Sequence, residues 1–155
     1  MPDKTRIEEA NEHMLNIPHS SALGMEFVSQ GVDECELLIR YSDHLVGDPD
    51  RGVIHGGAIT ALPENAAGVV ARPPGMAREQ AGISTFDLRI AYMVPAQPGL
   101  DVHARAHCFK RTSNIAFVRA IAFVTSPDDP IATCTATFML GTRATPFIEK
   151  PTEST

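Results

Sequence analysis

The chain has 155 residues, 43% of them hydrophobic and 21% charged, which suits one globular domain and excludes a disordered segment. Its formal net charge of -6 argues against nucleic acid or an anionic membrane as the main partner. The polar start "MPDKTRIEEANEHMLN" lacks an apolar signal region, and no run reaches the roughly 18 apolar residues of a membrane span. The expectation is therefore a cytoplasmic protein. The thiols Cys35, Cys108 and Cys134 are widely spaced in strand-like surroundings and read as buried and reduced.

In chain order, Thr5-x-x-Glu8 reads as a capping box. Ile7, Ala10, Met14 and Leu15 follow at helical spacing, so a short amphipathic helix ends before Pro18. "LGMEFVSQ" and "CELLIRYS" form a hairpin around "GVDE". "DHLVGDPDRG" reads as a loop, and "GVIHGGAITALPENAAGVVA" then supplies a helix over 57–71. Four strand-like segments follow "ARPPGMAREQAG".

In "ISTFDLRIAYMV", alternation puts Phe86, Leu88, Ile90 and Tyr92 on one face. In "LDVHARAHCFK", Leu100, Val102, Ala104, Ala106 and Cys108 face inward. "NIAFVRAIAFVT" is apolar on both faces apart from Arg119, as in a central strand or a subunit contact. "PIATCTATFML" completes the sheet, and short links make it antiparallel. The class is α+β: a six-stranded antiparallel sheet around a central apolar helix, plus an N-terminal helix. A single domain spans 1–155, with a core over about 20–142 and a polar, frayed tail over 143–155.

The central helix carries the chemistry. His55-Gly56-Gly57 stands at its start, where free N–H groups and the helix dipole favour an oxygen that gains negative charge. Glu64 follows seven residues after Gly57, near two full turns, and projects from the same side. Thr60 and Gly68 flank it at i-4 and i+4, so the surface around Glu64 is small enough to form a cavity. A lone buried carboxylate is costly and marks a functional site. The plainer alternatives are a tight turn at His55 and a Glu64 that reaches solvent at the sheet margin. Asn65 reads as a hydrogen-bonded polar neighbour, and Pro63 predicts a kink or widened turn. His103 and His107 are about 13 Å apart along a strand and make no metal pair.

These blocks resemble the hotdog-fold acyl-CoA thioesterases, nearest the phenylacetate-pathway (PaaI-like) branch of the 4-hydroxybenzoyl-CoA thioesterase superfamily. "GDPDRGVIHGGAITAL" carries most of the resemblance, supported by "DLRIAYMVPA" and "IATCTATFML". It implies hydrolysis of an acyl- or aryl-CoA thioester without metal or other cofactor. It also implies a homodimer, further paired into a homotetramer, with the carboxylate of one subunit facing the His-Gly-Gly turn of the other. Gly57 N–H would polarise the thioester carbonyl. Glu64 would be general base or nucleophile, and His55 would orient the turn or contact the thioester.

Thr85 matches a hydroxyl that helps hold water. Asp48 stands where the family often has Asn or Gln near the carbonyl. Gly56, Asn65, Tyr92, Lys110 and Arg111 fall at substrate or CoA positions. Three residues depart from the family pattern: the anionic Asp48, Pro63 within the helix, and Glu64 where Asp is commoner. Two other readings share these residues: a hydratase or dehydratase on the same fold, and a non-catalytic acyl-CoA binding module.

Overall fold

The computed structural model describes residues 4–76 and 82–142. The chain forms α1 (Lys4–Leu15), α2 (Pro18–Leu23), β1 (Met25–Gln30), β2 (Glu34–Ile39), β3 (Val46–Asp48), β4 (Val53–Ile54), α3 (Gly56–Ala71), β5 (Gly82–Tyr92), β6 (Val102–Arg111), β7 (Ile115–Phe123) and β8 (Ala132–Thr142). Six strands make one antiparallel sheet in the order β1-β2-β6-β7-β8-β5. This is the hotdog arrangement that the resemblance implies, with α3 as the filling.

Small side chains let α3 sit close to the sheet. Ala104, Ala106, Ala116, Ala120, Ala122, Ala132 and Ala136 are buried beneath it. Alternation in β6 is as expected for Val102, Ala104, Ala106 and Cys108, whereas Leu100 precedes the strand and is exposed. The helix is not covered all round. Ala58, Ile59, Leu62, Pro63, Ala66, Ala67, Val70 and Ala71 are buried. Gly57, Thr60, Glu64 and Gly68 form an accessible stripe at helical spacing. The helix is continuous through Pro63.

Three further expectations need correction. Leu15 is exposed rather than packed, because Ile7, Ala10 and Met14 already form the inward stripe of α1. Phe86 is 70% exposed, because it is the extra residue of a β-bulge between Thr85 and Asp87. The stretch read as one loop, 43–52, holds a 3-10 turn and β3, which pairs with β4 just beyond it. The short helix α2, which starts at Pro18, has too little periodicity to be read from sequence. The side chain of Thr5 and the tail over 143–155 lie outside the described residues.

The sheet has two edges. At β1, the Asn11 side chain of α1 accepts the Phe27 N–H at 2.7 Å and blocks part of that edge. The 11-residue β5 forms the other edge, and nothing among the described residues covers it. Among the described residues no helix is long and apolar enough to cross a membrane.

The C-terminus of α3 is tied to the sheet by Arg111. Its guanidinium donates to the carbonyls of Val70 at 2.6 Å and Ala71 at 3.2 Å, and pairs with Asp33 at 2.9 Å. These carbonyls have no intrahelical partner, and a cation there also complements the helix dipole. Replacing Arg111 by Ala should therefore cost about 2–3 kcal/mol in urea unfolding. Lys should recover little of it, since one ammonium cannot bridge three acceptors. An unchanged unfolding midpoint for Arg111→Ala would show that the tie contributes nothing.

Candidate active site

The start of α3 is built around His55. Its backbone is extended, and its Nδ1 accepts the Gly57 N–H at 2.9 Å. A backbone N–H can only donate, so Nδ1 carries no proton and the neutral ring holds its proton on the exposed Nε2. β3 and β4 lock this residue. The His55 N–H donates to the Leu45 carbonyl at 2.8 Å, and a Cβ at Gly47 would lie 2.8 Å from His55 Cα. Gly57 keeps the ring in place, since a Cβ there would stand 2.8 Å from Nδ1 and displace the exposed imidazole.

Tyr92 braces the turn. Its hydroxyl donates to the Gly56 carbonyl at 3.1 Å and contacts the Thr60 hydroxyl, which also donates to that carbonyl at 2.9 Å. Sequence reasoning placed Tyr92 toward the CoA moiety and did not find this bracing role. Its signal is weak, because the partners are 32 and 36 residues away.

Glu64 is half-buried. Thr85 Oγ1 donates to Glu64 Oε1 at 2.8 Å, and Asn65 Nδ2 lies 3.5 Å from Oε2. The bulge at Phe86 makes the first contact possible. Strict alternation would set Thr85 and Leu88 on opposite faces, whereas the extra residue turns both toward α3. Asn65 is otherwise satisfied by the Ala61 carbonyl and Ser20. The Cys134 thiol is pushed up to about 11 by burial first and by the Glu64 charge second, so it stays protonated.

Glu64, Asn65, Gly68 and Thr85 line a cavity of about 670 Å³ that reaches Met14 and Phe138. The segment from Arg72 to Met76 forms one wall. His55, Gly56 and Gly57 do not line this cavity.

Of the other expected residues, Asp48 directly follows the Gly47 that packs on His55, while Arg111 and Lys110 lie at the far end of α3. Asp48 accepts the Arg51 N–H at 3.3 Å and meets the Arg51 guanidinium at 3.5 Å, which closes the β3–β4 turn. Arg111 is engaged at the C-terminus of α3, about 21 Å along the helix from Gly57. Lys110 is exposed beside it. The interior of one chain therefore does not bring Lys110 or Arg111 to the His-Gly-Gly turn.

Gly57→Ala tests the ring contact directly. The added Cβ should expel the imidazole, shifting the His55 ring signals and the residue-57 amide in NMR spectra while the rest of α3 is unchanged. Unmoved ring signals would mean that Nδ1 does not hold this N–H in solution.

Comparison with known proteins agrees with this architecture. The family model "Thioesterase superfamily" matches residues 51–130, which hold the His-Gly-Gly turn, Glu64 and Thr85. The medium/long-chain acyl-CoA thioesterase YigI of Escherichia coli is 26% identical over 137 residues, covering 81% of this chain and 87% of that protein. A Pseudomonas aeruginosa protein of known crystal structure is 34% identical, with a TM-score of 0.72 over 86% of this chain and 97% of that one. A mutant of the phenylacetic acid degradation protein PaaI from Thermus thermophilus shares the fold at 22% identity, with a TM-score of 0.67 over 79% of this chain and 97% of that one. With the match extending over half of its length, the chain belongs to the thioesterase superfamily.

Proposed function

We propose that the chain hydrolyses an acyl- or aryl-CoA thioester to the free acid and CoA at a site shared by two copies. The observation that carries this reading is the separation of its two halves. Gly57 and Glu64 share one stripe of α3, yet the Thr60–Tyr92 pair occupies the surface between them. Glu64 opens to a cavity that the His-Gly-Gly turn does not line. A second copy supplies the missing half of each site.

The open β5 edge supports that arrangement. Thr85, at one end of β5, holds Glu64, and Tyr92, at the other end, holds the turn at Gly56. Antiparallel pairing of two β5 strands sets the Thr85 end of one beside the Tyr92 end of the other. Glu64 of one subunit then faces the turn of its partner. The acyl-CoA class is supported by the activity of the relative YigI. Pairing of two such dimers into a tetramer is part of the same proposal.

In the reaction, water held between Glu64 and Thr85 gives a proton to Glu64 as its oxygen attacks the thioester carbon. The Gly57 N–H, taken by the His55 ring in the free chain, passes to the thioester oxygen as charge develops there. The carbon–sulfur bond then breaks, the proton taken up by Glu64 passes to the departing sulfur or to water, and the His55 Nε2–H can donate a hydrogen bond to that sulfur. A direct attack by Glu64 through a mixed anhydride uses the same contacts. Both routes need only protein groups and water.

Thiol release from a panel of short, long and aromatic acyl-CoAs tests this reading. Glu64→Gln should retain the fold and lose about 10²-fold or more in kcat. Equal turnover by the variant would remove Glu64 from the mechanism. Binding of acyl-CoAs with no turnover by the wild type would leave a binding module instead.

A further inference from the structure

Tyr92 is 58% exposed, yet its hydroxyl is turned back onto the start of α3 rather than out to solvent. An exposed phenol has water at hand, so exchanging that water for a protein partner adds little stability by itself. The ring is set against the turn as well. A Cβ at Gly56 would meet Tyr92 Cε1 and the hydroxyl oxygen at 3.7 Å, an ordinary contact. The backbone of Tyr92 is anchored in the sheet by its pairing with Ala132. The side chain is thus a strut between the sheet and the His-Gly-Gly turn.

What the strut holds is the Gly56 carbonyl, and that carbonyl belongs to the same peptide group as the Gly57 N–H. The group is planar, so fixing its oxygen fixes the direction of its N–H. Its C–N bond is partly double, so a donor at the oxygen draws electron density from the nitrogen and makes the N–H a stronger donor. Thr60 acts on the same oxygen at 2.9 Å, and the two hydroxyls touch. Either can give its proton to the other while the second donates to the carbonyl, so a hydroxyl reaches that carbonyl in each arrangement. The bonds form one chain, from Tyr92 and Thr60 through the Gly56–Gly57 peptide to His55 Nδ1. Along such a chain each bond strengthens the next by about 10–30%.

We propose that Tyr92 and Thr60 are positioning residues of the thioester-cleaving site, which aim and strengthen the Gly57 N–H by holding the carbonyl of the same peptide group. This rests on the thioesterase reading above. Neither hydroxyl needs to touch the substrate. Both act through the peptide, and their effect is greatest when the thioester oxygen carries most negative charge. An interaction of that kind lowers kcat and kcat/KM together when it is lost and leaves KM in place.

The test compares Tyr92→Phe, Thr60→Val and Thr60→Ser with the wild type. Tyr92→Phe keeps the ring against Gly56 and removes only the hydroxyl. With the acyl-CoA that the wild type cleaves best, Tyr92→Phe and Thr60→Val should each lower kcat by about 3- to 10-fold and leave KM within about two-fold. That is well short of the loss of about 10²–10³-fold that follows removal of an oxyanion donor itself. Thr60→Ser should recover most of what Thr60→Val loses. In amide NMR spectra the Gly57 proton should move upfield in Tyr92→Phe and Thr60→Val, as its hydrogen bond weakens, and return toward its wild-type position in Thr60→Ser. A raised KM with kcat unchanged would make Tyr92 a substrate contact and overturns the proposal. So do unchanged rates, or a Gly57 amide that stays in place in both Tyr92→Phe and Thr60→Val. If the wild type cleaves no acyl-CoA, the thioesterase reading has failed by itself. The Gly57 amide then decides alone: its movement sustains the coupling of the hydroxyls to this N–H, and its constancy overturns it.

Discussion

The Thr60–Tyr92 pair on the accessible stripe of α3 is the constraint on which this site depends. Helix geometry sets Gly57 and Glu64 about 10 Å apart along the axis, on one side. With that interval filled by a threonine and a tyrosine, a small electrophilic group cannot lie along the helix and touch both. The donor end and the carboxylate end must each look outward, away from the other. In the proposed dimer a two-fold axis would resolve this geometry, because it would return the donor end of one helix to the carboxylate end of its partner. The helix is then a ruler used twice, once in each direction.

β5 makes the arrangement rigid. It holds Glu64 through Thr85 and the turn at Gly56 through Tyr92, while its outer edge stays open for pairing. The bulge at Phe86 is essential to this double grip, because it changes the parity of the strand between the two anchors. The alanine-rich floor of the sheet contributes from the other side. Its short side chains let α3 settle deeply enough to bury eight of its residues, while the stripe of Gly57, Thr60, Glu64 and Gly68 stays accessible. Arg111 ties the far end, so the helix is held at both termini.

Much of this was legible in local pattern. The helix over 57–71 and the alternation of β6 follow from periodicity, because each depends on neighbours close in sequence, whereas β7 reads equally as a central strand or a subunit contact until the sheet order is known. The small residues around Glu64 also indicated a cavity, and Glu64, Gly68 and Thr85 do line one. The rest depended on long-range partners. Phe86 appears to belong inside until its register against β8 reveals the bulge. Arg111 looks like a free cation until the carbonyls of Val70 and Ala71, some 40 residues away, are placed beside it. Tyr92 looks like a ligand contact until Gly56 and Thr60 meet its hydroxyl. The thioesterase superfamily accounts for the shared frame. The pairing of Asp48 with Arg51 belongs to this chain's own packing.

The claim of a shared site is tested most directly by mixing two defective proteins. Gly57→Val blocks the donor end and Glu64→Gln removes the base. Unfolded together and refolded in equal amounts, half of the resulting dimers contain one of each, and every mixed dimer has one intact site. The account predicts recovery of about a quarter of the wild-type thioester hydrolysis. No activity above that of the separate variants would contradict it, and would mean that each chain completes its site alone.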